Sequence, residues 1–246
     1  MSDVDVRIFE TADETANALA AHVATVVRRK PNLVLGLATG RSPVAAYREL
    51  QRLHARGEVD FSLVRTFNLD EFAGLDAAHP GSFRRFMEAH LFGGVNVDSS
   101  RIGFLNGVAA DLDAECARYD AAIDEAGGID LQLLGIGANG HVGFNEPGDE
   151  LTAHTHRVRL HETTRRDNAA LFGGEIGSVP REALSMGMAT ILKAAAVVLI
   201  ATGERKAACV HGMIRGPLTT RLPASFLQTH RNVTVFLDRF AAVRLA

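Results

Sequence analysis

Residues Leu133–Gly148 read LLGIGANGHVGFNEPG and carry more information than any other part of this 246-residue chain. An apolar run breaks into glycines, and His141 and Glu146 then follow five residues apart. A short apolar run bounded by turn residues is typical of a buried strand. The pattern therefore predicts a strand whose exit delivers an imidazole and a carboxylate. Such a pair suits acid/base chemistry, because histidine titrates near neutral pH.

The same stretch contains Gly135-x-Gly137-x-x-Gly140, which matches the fingerprint of dinucleotide-binding proteins. That fingerprint requires its last glycine to open a helix and an acidic residue about 20 positions later, at the end of a second strand. Pro147 interrupts any such helix, and no strand ending in Asp or Glu precedes Glu162. We therefore expect neither a nicotinamide nor a flavin cofactor.

Apolar runs alternate with amphipathic segments along the whole chain. The predicted strands are Leu33–Leu37, Leu63–Phe67, Leu131–Gly135, Ala195–Ala201 and Val233–Leu237. The predicted helices lie near Thr11–Arg29, Pro43–His54, Ser82–Phe92, Leu112–Glu125, Thr163–Phe172 and Glu204–Ile214. Continuously apolar strands are buried on both faces, so the alternation predicts a doubly wound, Rossmann-like α/β fold with a mostly parallel sheet and helices on both faces. No repeat or linker divides the chain, and we expect one domain over residues 1–246.

The composition argues against several classes of protein. A net charge of −3 provides no strongly basic surface of the kind that nucleic acids or anionic membranes attract. The first residues lack the basic start and apolar core of a secretion signal, and no uncharged apolar segment reaches about 18 residues. We therefore expect a cytoplasmic protein that binds a small molecule, without nucleic-acid or membrane partners.

No metal ligand set is predicted. Cys116 and Cys209 lie far apart in the sequence, and we expect both to be reduced and structural. The histidines His154, His156 and His161 fall in a polar stretch without a further fixed ligand, which disfavours a metal site there.

Two predicted strand exits offer groups that bind anions. The first strand runs into Thr39, Gly40, Arg41 and Ser42, and a helix follows. The backbone N–H groups of a helix start and the two hydroxyls would suit a phosphate. An ordinary turn with Ser42 as helix N-cap explains the same residues equally well. Lys206 follows a later strand in the same way and is a second cationic candidate.

A third exit carries two adjacent carboxylates, Asp70 and Glu71, between apolar residues. In extended backbone their side chains point in opposite directions, so only one of them can face a ligand. The other is then free to cap the following helix. Asn139 is close enough in sequence to orient His141 or Glu146 by a hydrogen bond.

These segments together resemble the glucosamine-6-phosphate deaminases, also called glucosamine-6-phosphate isomerases. The resemblance covers nearly the whole chain, and its motifs are Thr39–Pro43, Phe67–Phe72, His79–Phe83, Gly135–Pro147, Ala183–Gly187, Gly203–Lys206 and Pro223–His230. The related 6-phosphogluconolactonases share the scaffold and a Gly-His pair, but their motif continues toward Ala-Ser-x-Phe-Pro. Here the residues are Phe144-Asn145-Glu146-Pro147, which favours the deaminases.

The resemblance implies a role for each matching residue. His141, paired with Glu146 and oriented by Asn139, would move a proton from O1 to O5 and open the sugar ring. Asp70 would then move the C2 proton to C1, so that ammonia leaves and fructose 6-phosphate forms. Thr39, Gly40, Arg41, Ser42 and Lys206 would hold the substrate. No metal or organic cofactor is implied.

The chain departs from the family at several positions. Ala170 stands where the family often has a phosphate-binding arginine, and Arg166, one helical turn earlier, is the predicted substitute. Asp149 and Glu150 replace serines of the allosteric members, so we expect no activation by N-acetylglucosamine 6-phosphate. By analogy with the family, residues 155–181 would form a helical lid.

Three alternatives remain open from the sequence. The chain could open a lactone on the same scaffold, as the 6-phosphogluconolactonases do. It could deaminate galactosamine 6-phosphate, because nothing in the sequence identifies hydroxyl stereochemistry. It could also be a sugar-phosphate sensor without catalysis, since Ala170 puts phosphate binding in question. The sequence is compatible with a monomer or a homo-oligomer.

Overall fold

The computed structural model describes residues 4–245, which form two β-sheets with helices between their strands. The strands are β1 (Asp5–Phe9), β2 (Val34–Leu37), β3 (Arg65–Asn68), β4 (Asp70–Phe72), β5 (Ile102–Gly103), β6 (Leu131–Leu134), β7 (His156–Arg159), β8 (Glu182–Ser185), β9 (Ala196–Ala201) and β10 (Val233–Asp238). The α-helices are α1 (Ala12–Arg29), α2 (Arg41–Ala55), α3 (Phe83–His90), α4 (Leu112–Glu125), α5 (Glu162–Asn168), α6 (Met188–Leu192) and α7 (Ala207–Arg215).

The larger sheet contains seven parallel strands in the order β1-β10-β9-β6-β2-β3-β5. All residues of β2, β6 and β10 are buried, as expected for strands covered on both faces. From β2 the chain adds β3 and β5 on one side, and β6, β9, β10 and β1 complete the other side. The predicted doubly wound, mostly parallel α/β fold is confirmed. The strand order reverses between β2 and β6, where sheets of this type bind ligands.

The helices follow the predicted apolar periodicity with boundary shifts of a few residues. In α1 the buried positions include Leu19, Val23 and Val27, which recur at a spacing of four residues on one helix face. The Thr11 hydroxyl accepts the Glu14 backbone N–H at 3.1 Å and caps the start of this helix. The predicted start at Thr11 is therefore the cap position, one residue before the first helical residue.

The smaller sheet is antiparallel, with the order β4-β8-β7, and the sequence analysis does not predict it. β4 has only three residues, and β7 is the polar sequence HRVR, so neither carries the apolar signal of a buried strand. Asp70 pairs with Ser185 in this sheet, and His156 pairs with Ser185 from the other side. A separate apolar cluster, which includes Phe72, Phe83 and Phe144, packs beside the sheet.

The segment predicted as a helical lid, residues 155–181, is only partly helical. It begins with β7, continues into α5 and ends in the 3₁₀ turns Ala169–Phe172 and Ile176–Ser178. The predicted helix Thr163–Phe172 is therefore split between α5 and the first of these turns. The opening and closing of the segment stays a prediction. In the described part of the chain, no helix is both long and apolar enough to cross a membrane.

Candidate active site

The exits of β3, β2, β6 and β9 lie side by side at the carboxyl edge of the larger sheet, because these four strands are consecutive neighbours in parallel pairing. The backbone continues this contact beyond the strands, since Leu69 N–H donates to the Leu37 carbonyl at 3.0 Å. Each predicted site segment except the Arg166 helix follows one of these strands. The topology therefore brings the segments to one edge.

Asp70 stands two residues beyond the end of β3 and is held in β4 opposite Ser185. Its side chain is buried, and its Oδ1 atom has no hydrogen-bond partner within residues 4–245. Burial is the main cause that raises the pKa of Asp70 to about 8, and the neighbouring Glu71 adds to the effect. A hydrogen bond from Thr39 opposes it in part. A buried carboxylate with a free oxygen can act as a base.

Glu71 points the other way and caps α3. Its carboxylate accepts the backbone N–H groups of Phe83 at 2.9 Å and Arg84 at 3.0 Å, at the first two residues of the helix. Ser82 completes the cap by accepting the Arg85 N–H at 3.0 Å. Burial nevertheless raises the pKa of Glu71 to about 7, against the effect of these N–H donors. Of the two adjacent carboxylates, only Asp70 remains available to a ligand.

The His141 loop is a tight turn that depends on Gly137. The Gly137 N–H donates to the His141 carbonyl at 2.9 Å, and the Gly140 N–H donates to the Gly137 carbonyl at 3.0 Å. A Cβ atom on Gly137 would lie 2.3 Å from Cε1 of the His141 ring, so the imidazole packs directly over this glycine. The central glycine of the apparent dinucleotide fingerprint therefore makes room for a side chain of the site.

Glu146 and Asn139 hold the histidine in place. The Asn139 Oδ1 atom accepts the His141 backbone N–H at 3.2 Å, while its Nδ2 donates to Glu146 Oε2 at 3.0 Å. The same Glu146 oxygen lies 3.6 Å from His141 Nδ1, slightly beyond hydrogen-bond length. Catalytic hydrogen bonds are often this long before a substrate binds. Burial opposes ionisation of Glu146, but contacts from His141, Thr164 and Asn139 outweigh it and hold its pKa at about 2.

Asp70 and the His141 loop meet at Gly143. A Cβ atom on Gly143 would lie 2.9 Å from Ser185 Oγ and 3.7 Å from Asp70 Oδ2. Ser185 also accepts the backbone N–H of Phe144 at 3.0 Å through its hydroxyl. The loop that carries His141 therefore approaches the Asp70 carboxylate at Gly143, two residues after the histidine. Ser185 joins the two loops, and the sequence analysis does not identify it.

The β2 exit leaves the start of α2 open to an anion. Gly40 occupies the N-cap position with a φ of 109°, a conformation that favours glycine, and the cap makes no side-chain hydrogen bond. Ser42 lies inside the helix, so the alternative in which it is the N-cap is wrong. Thr39 is half-buried beside Asp70, whereas Arg41 is exposed. The first N–H groups of α2 thus lack a side-chain cap, which suits a bound anion.

Lys206 reaches the same edge from the β9 exit. Its Nζ atom donates to the Ile136 carbonyl at 2.6 Å, just beyond the end of β6. Burial lowers the pKa of Lys206, although the carboxylate of Asp167 counteracts the shift and Arg41 adds to it. The buried Asp238 holds the preceding turn by accepting the Gly203 N–H at 3.0 Å.

Arg166 is not brought into contact with these residues. Its guanidinium is exposed and forms an ion pair with Glu162 on the same helix. Ala170 is exposed as well. The replacement of the family arginine by Arg166 therefore stays a prediction.

The histidines considered as metal ligands have different partners, and His156 Nδ1 lies 3.0 Å from the His154 carbonyl. His154 contacts Asp120, whereas His161 contacts Glu146. Among residues 4–245, no group of His, Cys, Asp and Glu side chains is arranged to hold a metal ion. A groove of about 910 Å³ lies between α4 and residues 154–156, and none of the predicted site residues lines it.

Comparison with known proteins identifies the family. The model of the family described as glucosamine-6-phosphate isomerases/6-phosphogluconolactonase matches residues 9–236. The chain belongs to this family. A glucosamine-6-phosphate deaminase of Clostridium perfringens is 47% identical over 235 residues, which cover 96% of this chain and 97% of that protein. Glucosamine-6-phosphate deaminase 2 of Bacillus subtilis is 46% identical over 241 residues, covering 98% of this chain and 97% of that protein.

Solved structures of the family agree with the fold. A monomeric glucosamine-6-phosphate deaminase superposes with a TM-score of 0.94 at 42% identity. The superposition covers 98% of this chain and 99% of that chain. The 6-phosphogluconolactonase of Trypanosoma brucei has a TM-score of 0.77 at 20% identity, with full coverage of both chains, and shares the fold.

Replacement of the buried carboxyl group should change how stability depends on pH. Because burial raises the pKa of Asp70 to about 8, the folded chain binds this proton more tightly than the unfolded chain, where the pKa is about 3.9. The contribution of Asp70 to stability is therefore full below about pH 4 and is lost as the pH rises toward about 8. As the pH rises from about 4 to about 8, we expect the free energy of unfolding of Asp70→Asn to increase relative to that of the wild-type protein.

Urea unfolding of both proteins at several pH values measures the difference. The Glu71 carboxyl group is present in both proteins, so its own titration largely cancels. A stability difference that stays constant from pH 4 to pH 8 would contradict the assignment.

Proposed function

We propose that this family member converts glucosamine 6-phosphate and water to fructose 6-phosphate and ammonia. The observation that carries the proposal is that the loop carrying His141 meets the buried Asp70 carboxylate at Gly143, two residues after the imidazole. The relatives named above as glucosamine-6-phosphate deaminases support the choice of substrate. Acid/base transfer at two neighbouring carbons of a sugar needs two such groups on one ligand.

The first step is ring opening. His141 takes the proton of O1 and delivers it to O5, so that the C1–O5 bond breaks and the open-chain aldehyde forms. The ionised Glu146 beside Nδ1 fixes the orientation of the ring and stabilises its protonated form during the transfer. Asn139 keeps both groups in place through its two hydrogen bonds.

The second step moves hydrogen between carbons. Asp70 removes the C2 proton while O1 takes up a proton from solvent, so that the aldehyde becomes an enolamine. Asp70 then returns the same C2 proton to C1, and the nitrogen loses a proton to solvent. The resulting imine at C2 adds water and releases ammonia, which leaves the ketone of fructose 6-phosphate. Burial makes the carboxylate a stronger base, and a pKa of about 8 lies near the working pH, where general bases are most effective.

The phosphate is assigned to the exits of β2 and β9. The N-terminal turn of α2 offers N–H groups of Thr39–Ser42, and Lys206 adds a positive charge already directed to this edge. We further propose that the chain works as one cytoplasmic domain, as a monomer or a homo-oligomer, without nucleic-acid or membrane partners. The proposed steps use proton transfers by side chains and solvent together with the addition of water, and they require no metal or organic cofactor.

Ammonia release tests the function. A coupled ammonia assay with glucosamine 6-phosphate should show turnover by the wild-type protein, and Asp70→Asn should lower kcat by about 100-fold or more, a general-base magnitude, with little change in substrate binding. Near-normal ammonia release by Asp70→Asn would reject the proposed role.

The matched control is Asp130→Asn. Asp130 is half-buried beside the same sheet but precedes β6 at the opposite edge, where it contacts Lys30. Turnover of this variant should stay close to wild type. Ammonia release from galactosamine 6-phosphate alone would favour the epimer-specific deaminase. Release of 6-phosphogluconate from its lactone, without any ammonia, would favour the lactonase. Binding without either product would indicate a sensor.

Phosphate binding gives a separate prediction. Lys206→Gln should raise KM for glucosamine 6-phosphate by about 10-fold or more, because a hydrogen bond to a charged group contributes about 1.5–3 kcal/mol. Arg166→Ala should raise KM by a smaller factor if Arg166 replaces the family arginine, since its side chain is exposed. Lys30→Gln, at the opposite edge, is the control. Steady-state kinetics measure all three, and an unchanged KM in Arg166→Ala would remove Arg166 from the site.

We also propose that the activity is not allosteric. Asp149 and Glu150 are exposed carboxylates, and Asp149 pairs with Arg221. Two negative charges repel a phosphorylated effector. Substrate saturation should therefore be hyperbolic, with the same half-saturation in the presence of N-acetylglucosamine 6-phosphate. Sigmoidal kinetics that this compound makes hyperbolic would overturn the proposal.

A further inference from the structure

Glu146 lies between two histidines, of which the proposed mechanism uses only one. Its Oε2 atom is 3.6 Å from His141 Nδ1 and also 3.6 Å from Nδ1 of His161, the residue that precedes α5. The backbone N–H of His161 donates to the other carboxylate oxygen at 3.2 Å. The Glu146 side chain is 5% exposed, whereas that of His161 is 51% exposed. One buried anion therefore faces one enclosed imidazole and one that solvent protons reach freely.

We propose that His161 is a positioning residue that acts through Glu146 on His141: as a cation it opposes protonation of His141 and so keeps His141 able to accept the O1 proton at lower pH. The inference rests on the proposed function, because it assigns His161 to the ring-opening step. It concerns the ring-opening step, whereas Asp70 serves the later step.

The physical argument is electrostatic. Both imidazoles approach the same oxygen, so their nearest nitrogens are separated by no more than 7.2 Å, twice the 3.6 Å measured for each. Two positive charges at this separation repel, and the repulsion is stronger in partly buried surroundings than in water. Glu146 stays ionised over the range in which histidines titrate, because its pKa is held at about 2. One carboxylate carries a single negative charge, so it balances one imidazolium. It cannot balance the positive charges of His141 and His161 together.

The remaining groups near His161 do not replace this interaction. On α5, the charges of Glu162 and Arg166 pair with each other. The guanidinium of Arg165 is turned to the carbonyls of Ile176 and Val179. From the His141 loop, Asn139 is neutral and already bonded to Glu146. Thr164 is also neutral. Among the described contacts, the charge that His161 responds to is that of Glu146 and, across it, His141.

The pH profile of kcat/KM tests the proposal. In His161→Gln the amide can still donate a hydrogen bond to Glu146, but it carries no proton that titrates. His141 then protonates without the charge of His161. The point at which the acid limb steepens, from protonation of Asp70 alone to protonation of Asp70 and His141, should therefore move to higher pH by about 0.5–1 unit, the effect of one charge at this distance. The rate above about pH 8, where the Asp70 carboxylate is ionised, should change little. Circular dichroism checks that the variant is folded.

His154→Gln is the matched control. His154 is also an exposed histidine near a carboxylate, with its Nδ1 atom 3.8 Å from Asp120 Oδ2, but it lies outside the proposed site. Its variant should reproduce the wild-type acid limb. A shift of equal size in His154→Gln would mean that any lost histidine changes the profile, and it would overturn the proposal.

A second measurement does not depend on turnover. Nuclear magnetic resonance follows the titration of the His141 ring in wild type and in His161→Gln, with the signal assigned through its loss in His141→Gln. The ring should take up its proton at higher pH in His161→Gln. If the wild-type protein releases no ammonia, the proposed function fails while this titration still tests the coupling. Superimposable titrations, or an altered KM with an unchanged acid limb, would show a merely structural role for His161.

Discussion

The pairing of β4 with β8 is the constraint on which the candidate site depends. β4 is only three residues long, yet it fixes Asp70 opposite Ser185 immediately after the chain leaves the parallel sheet. The Met186 N–H donates to the Leu69 carbonyl at 2.8 Å, and the Met186 carbonyl accepts Nδ2 of Asn145 at the same distance. Met186, directly after β8, thus connects the exit of β3 to the loop that follows β6. Without it, the base and the imidazole would be held by independent loops.

Three carboxylates of the site differ because of their surroundings and not because of their residue type. Asp70 is buried with one oxygen unpartnered, so its pKa is raised. Glu71 is also buried and its pKa is raised less, since backbone N–H groups at the start of α3 stabilise its charge. Glu146 is surrounded by donors and stays ionised. One group can therefore move a proton, one holds a helix and one orients an imidazole.

The sequence predicts those parts of the molecule that depend on local patterns. Five of the seven strands of the larger sheet are predicted because they are largely apolar, whereas β1 and β5 are not predicted. Asp70 and His141 are predicted as site residues because polar residues follow two of those five strands. The small sheet has no such signal, since β7 is polar and β4 is very short. Ser185 and His161 meet the site from segments remote in sequence, so only the folded chain shows their contacts. The N-cap position of Gly40 depends on its positive φ, which the sequence does not show. The Ser-Pro pair two residues later also matches the start of a helix and indicates a different cap.

The hydrogen bond from Lys206 to the Ile136 carbonyl has a consequence for recognition. An ammonium group has three N–H donors, and within residues 4–245 only the bond to the Ile136 carbonyl uses one of them, so two remain for an anion. Fixing a long lysine side chain costs up to about 2 kcal/mol of rotamer freedom. In this protein the loss occurs when the chain folds and not when a ligand arrives. The cation also gives up part of its hydration when the chain folds, so its ammonium group is held in position before an anion binds.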